Sequence, residues 1–143
     1  MPNLRMTVVA AALIALACAQ TASAAPPASA AVSSMTENPF AKPSSLPFQA
    51  PPFDRIKDSD YQGAIEEGMR QHLAEIARIA NNTAPATFDN TFVAMEKSGA
   101  MLTRTLHTFE AVTGANTNAA LQKVQEAEAP RLAAHRDAIH LNN

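Results

Sequence analysis

Four histidines, one cysteine and four glycines are the scarce chemical parts of this 143-residue chain. None of His72, His107, His135 and His140 is followed by Glu, so the His-Glu-x-x-His helix motif, which sets two zinc ligands and a general base on one face, is absent. His135 and His140 are five residues apart, which on one helix turns them about 140° from each other. His72 and Glu75 are three apart and can touch one ion, yet two ligands do not make a zinc site. His72 lies beside Met69 and Ile76, and His107 beside Leu106, where a helix-border histidine is the ordinary reading. Nucleophilic catalysis lacks its parts too: no Gly-x-Ser-x-Gly turn occurs, and Cys18 falls in an apolar leader. Four scattered glycines build no phosphate cradle. Charge pairs such as Glu66 with Arg70, and Glu96 near Ala100, read as solvated helix faces. Glu126 and Glu128 fall on opposite sides of a helix and make no acid and base pair. The residues therefore predict no catalytic, cofactor-binding or metal-binding site in this chain.

Composition narrows the class. With 11 Lys+Arg against 13 Asp+Glu the net charge is −2, which gives no electrostatic case for binding nucleic acid. Trp is absent and Tyr occurs once, so a core must be built from Leu, Ile, Met, Val and Phe. A single cysteine excludes an internal disulfide. Residues 1–24 have the pattern of a secretory signal: Arg5 gives a positive start, Met6 to Ala19 is apolar, and Ala22-Ser23-Ala24 fits a small-residue cleavage site. The apolar run is shorter than the roughly 20 residues that span a bilayer, so no stable membrane span is expected. The mature chain would begin near Ala25 and lie in the periplasm or outside the cell. The alternative is a lipid anchor at Cys18, since Ala15-Leu16-Ala17-Cys18 resembles a lipoprotein cleavage site with its Leu one position late.

The elements follow from punctuation and period. Residues 25–37, rich in Ala, Pro and Ser, are expected to be a disordered linker. Residues 38–58 interleave prolines with Phe40, Leu46, Phe48, Phe53 and Ile56, which forbids a helix and predicts an extended arm docked along a larger body. Residues 59–143 predict an all-α segment of about three to four helices packed as antiparallel hairpins. The first opens at Ser59 or Asp60, stops at Asn81-Asn82, and carries the stripe Tyr61, Ile65, Met69, Leu73, Ile76 and Ile79. The second opens at Thr87 and ends at Gly114, with Phe88, Phe92, Met95, Gly99, Leu102, Leu106 and Phe109 on one face. Gly99 in its middle predicts close approach of another helix. The third begins near Thr117 and is expected to kink or break at Pro130.

Asn38-Pro39-Phe40, Leu46-Pro47-Phe48, Pro52-Phe53-Asp54-Arg55-Ile56 and Asp60-Tyr61 with Glu67-Gly68-Met69 form an ordered series of short matches. Ala74-Glu75-Ile76, Phe88-Asp89-Asn90-Thr91, Glu96-Lys97-Ser98-Gly99 with Leu102, and Ala129-Pro130-Arg131-Leu132-Ala133-Ala134-His135 through Leu141-Asn142 continue it. In that order the stretch Asn38 to Asn142 resembles the amino-terminal part of the thimet-oligopeptidase-like zinc metallopeptidases, in their peptidyl-dipeptidase (dipeptidyl carboxypeptidase) branch. The resemblance implies an enzyme that removes dipeptides from the carboxyl ends of oligopeptides, with zinc as the cofactor of the full-length family. This segment would then be part of a channel wall, incomplete by itself, holding no zinc and cleaving nothing alone. The competing expectation is an autonomous periplasmic helical binding or adaptor module.

Overall fold

A computed structural model describes residues 35–141; the expected signal segment, Cys18 and most of the expected linker lie outside these residues. Among the described residues the architecture is all-α, with no strand. The last three linker residues, 35–37, form a helical turn, and Met35 packs on the core. A single 3₁₀ turn, Pro47–Gln49, interrupts the proline-rich stretch.

Helix α1 runs Asp58–Ala80. Lys57 closes its start by donating its backbone N–H to Asp60 Oδ2 at 2.8 Å, and acidic Asp58 and Asp60 in the first turn, with Arg78 in the last, suit the helix dipole. A π-helical turn, Asp89–Val93, leads into the short α2, Ala94–Lys97. Helix α3 is Ala100–Asn116 and α4 is Ala119–His140. The tight corner between them is capped by Asn118, whose side-chain oxygen accepts from the N–H groups of Ala120 (2.8 Å) and Leu121 (3.0 Å), while its amide donates to Asp58 Oδ2 at 2.8 Å. One residue thus starts α4 and ties it to the start of α1.

Three departures from the sequence expectations have physical causes. The second helix is not continuous: Gly99 adopts φ +69°, a left-handed conformation that ends α2 and turns the chain into α3. Gly114 does not stop α3, which runs on to Asn116, because it does not take the left-handed conformation of a helix-ending glycine; the chain leaves the helix at Thr117, which is extended. Pro130 does not break α4. Proline supplies no N–H to the Glu126 carbonyl, but both residues are exposed, so water can replace the lost partner.

Helix α1 packs against both α3 and α4. Its closest approach is at Gly68, where a Cβ would stand 2.9 Å from Leu102 Cα, so only glycine lets the two backbones meet. The core gathers Ala64 and Ile65 from α1, Met101, Leu102 and Phe109 from α3, and Leu121 from α4. Tyr61, 2% exposed, stands between Phe40 and Phe109 with ring centroids 5.4 and 5.2 Å away. Phe40 is the arm's anchor: its carbonyl accepts from Arg104 Nη2 and Nε at 2.8 and 3.2 Å, and the neighbouring Asn38 amide donates to the Asp60 carbonyl at 2.9 Å. Ile56 also packs on the core, whereas Leu46, Phe48 and Phe53 stay exposed. Phe48 and its neighbour Gln49 both have φ +57°, a left-handed conformation that a bulky side chain rarely adopts.

Candidate functional site

The chemistry-bearing side chains converge on one cleft of about 260 Å³ between α1, the Ser98-Gly99 turn, α3 and α4. Helix α1 supplies His72 and Ile76, the turn supplies Ser98, and α4 supplies His135, Arg136 and His140. His72 Nδ1 lies 3.0 Å from His135 Nε2, and His72 Nε2 lies 3.2 Å from Ser98 Oγ. The two imidazole rings are tilted at 51° with centroids 5.1 Å apart. His135 is 7% exposed, and its Nδ1 is buried without a hydrogen-bond partner. Burial, followed by His72 and Arg136, pushes its pKa below the ordinary histidine value.

The left-handed turn makes this cleft possible. A Cβ at position 99 would sit 2.9 Å from the His72 ring, so glycine is required there both by its φ and by the imidazole packed under it. Glu75, one turn beyond His72, accepts from the Gly99 N–H at 2.7 Å and fixes the turn from the same helix. His72 and Glu75 are therefore not co-ligands, because the carboxylate is already engaged by the backbone. His107 is exposed and far from this chemistry in role, as its helix-border position predicts. His135 and His140 both line the cleft but differ in exposure, the first buried and the second exposed.

A second titratable cluster lies nearer the start of α4. Glu128, 1% exposed, meets Arg131 at 3.2 Å, and Arg131 also pairs with Glu66 on α1. Glu128 Oε2 has no partner. Burial raises the Glu128 pKa, with Arg131 acting against it and Glu66 adding to it. The expected pairing of Glu66 with Arg70 is replaced by two others: Arg70 takes Glu67 at 2.6 Å, where side-chain geometry across three residues suits a two-pronged guanidinium contact, and Glu66 crosses to Arg131. Glu126 is exposed while Glu128 is buried, so they do face opposite ways.

Sequence reasoning missed the His72–His135 pair, since 63 residues separate its members and no local spacing announces it. The one signal was that both histidines border an apolar stripe. A structural or catalytic zinc ion needs three or four protein ligands. Among the described residues no three His, Cys, Asp or Glu side chains are placed to hold one ion; of the three histidines lining the cleft only His72 and His135 meet, and Glu75 is engaged by the Gly99 N–H, so these residues do not fit a zinc site. Among the described residues no helix is long and apolar enough to cross a membrane.

No protein-family model matches the chain. Against curated proteins, it is 48% identical over 109 residues, 76% of its length, to the dipeptidyl carboxypeptidase of Salmonella typhimurium strain LT2. It is 46% identical over 107 residues, 75% of its length, to the dipeptidyl carboxypeptidase of Escherichia coli strain K12. In each case the chain spans 16% of the relative's own length. Identity that high over three quarters of the chain supports a place in the peptidyl-dipeptidase family, as a stretch that spans 16% of each relative's length.

Proposed function

We propose that the chain is the amino-terminal, non-catalytic segment of an exported zinc metallopeptidase that releases dipeptides from the carboxyl ends of oligopeptides, and that it forms part of the wall around the substrate channel. The 48% identity to a dipeptidyl carboxypeptidase carries the reading. The exposed apolar side chains support it: Phe88 and Phe92 stack with centroids 5.5 Å apart while 71% and 64% exposed, Met95 follows them, and Leu46, Phe48 and Phe53 project from the arm. Groups of that size left in water mark a surface built to be covered. In this reading the zinc and its ligands belong to the remainder of the longer enzyme, and oligopeptides are its substrates. Export through cleavage near Ala24 rests on the leader pattern.

Replacing the matched 109 residues of the Salmonella enzyme with those of this chain tests the proposal. The chimera is expected to release dipeptides from a peptide blocked at its amino end, with chelator sensitivity unchanged. A soluble, folded chimera without activity overturns the assignment. The chain alone is expected to release nothing, and chelator-sensitive release by it refutes the non-catalytic role.

A further inference from the structure

We infer that His72, His135 and Ser98 form a proton-sensitive latch that holds the second half of α4 on α1 and lets it go on acidification. The donors and acceptors can be ordered from one end. Ser98 Oγ lies 2.6 Å from the Met95 carbonyl, which can only accept, so the hydroxyl hydrogen is spent there. Ser98 Oγ then offers a lone pair to His72 Nε2 at 3.2 Å, which must carry the ring hydrogen. His72 Nδ1 is left as an acceptor, so the hydrogen in the 3.0 Å contact belongs to His135 Nε2. A neutral imidazole has one N–H, and His135 Nδ1 is therefore a bare lone pair, buried and without a partner.

Every way of adding a proton damages this chain. On His72 Nδ1 it would face the His135 Nε2–H, donor against donor at 3.0 Å. On His135 Nδ1 it would create a buried cationic N–H with no acceptor, a far costlier orphan than a bare lone pair. The charged and titratable neighbours offer no relief. Arg136 and His140 on α4 line the cleft, and Arg136 repels a cation at His135. On α1, Glu75 is engaged by the Gly99 N–H and flanked by Arg78. Lys97 precedes Ser98, and the α3 wall is Leu102 and Leu106.

The segment affected is defined by Pro130, which removes one rung from the hydrogen-bond ladder of α4. Beyond it His135 is the one buried residue among those described, with Leu132 and Ile139 half-buried beside it. Because the folded pKa of His135 lies below its unfolded value of about 6.5, the released state takes up the proton more readily. The latch is thus at full strength above that pH and weakens as pH falls through it.

Peptide-resolved hydrogen exchange on the full chain at pH 7.5 and 5.5, corrected for intrinsic rates, tests this. Protection of residues 131–140 is expected to fall at least about tenfold further than that of residues 61–69 on acidification, and His135→Leu is expected to abolish the difference. An equal loss across the molecule, or a step that survives in His135→Leu, overturns the latch. Nitrogen NMR of the wild-type imidazoles decides the matter if that variant does not fold. Both His72 and His135 are expected as the Nε2–H tautomer at pH 8, with His135 titrating below 6.5, and an Nδ1–H tautomer or a higher midpoint for His135 is equally fatal.

Discussion

The face that runs from Phe88 to Phe109 is one stripe in the sequence and two environments in the fold. Past Gly99, Leu102 and Phe109 close against Tyr61, Ile65 and Leu121, and water is excluded. Before it, Phe88, Phe92 and Met95 project into solvent from a π-helical turn and a single turn of α-helix. The same three-and-four spacing built both. Periodicity states which residues share a face, and it is silent on whether anything covers that face. The uncovered half is the part that the proposed longer enzyme would cover.

The comparison can be broken by substitution. Ile65→Ala, at the closed end, is expected to lower stability by about 2–5 kcal/mol. Measured by urea unfolding, that is a large share of the roughly 5–15 kcal/mol a small domain possesses. A loss under 1 kcal/mol would mean the closed end is not a true core. Asn118→Ala removes the cap of α4 and its tie to Asp58, and is expected to lower stability by about 1 kcal/mol in the same measurement.

Glu128 sharpens the contrast through pH. Its folded pKa is raised by burial, so its contribution to stability is complete below the unfolded value near 4.3 and declines as pH rises through the folded one. The advantage of Glu128→Gln over the wild type is therefore expected to be greater at pH 7 than at pH 4. Thermal melts at the two pH values read it directly, and a reversed order contradicts the burial. The smallest effect belongs to the open end: Phe92→Ser is expected to change stability by no more than about 0.5 kcal/mol while reducing binding of a hydrophobic dye. A Phe92 loss as large as that of Ile65 would erase the distinction between the two ends.

Much of this was legible in the chain. The all-α class, the start of α1 near Ser59-Asp60 and the start of α4 near Thr117 follow from caps and spacing, whereas Phe40, expected on a larger body, packs into this chain's own core. Local rules are reliable where the determining atoms are within one turn of each other. Gly99 shows where they give out: the residue pointed to a close neighbour, and His72 is indeed against it, but the left-handed backbone that splits the helix is set by that tertiary contact and by Glu75 together. Pro130 shows the converse, a strong local breaker outvoted because its freed carbonyl belongs to an exposed residue and the turns beyond it are tied to α1 by Arg131 with Glu66 and by His135 with His72. The histidine pair was invisible for the simplest reason, since a contact across 63 residues has no sequence period.

The arm is tied on both sides of its exposed stretch, by Phe40, Asn38 and Arg104 before it and by Ile56 and the Asp60 turn after it. Scission of the main chain between 44 and 50 would consequently separate nothing: each fragment would keep its own moorings, and the nicked protein would travel as one particle. An exposed loop is usually where a protease begins to dismantle a domain. Here the first cut would be a scar and not an injury.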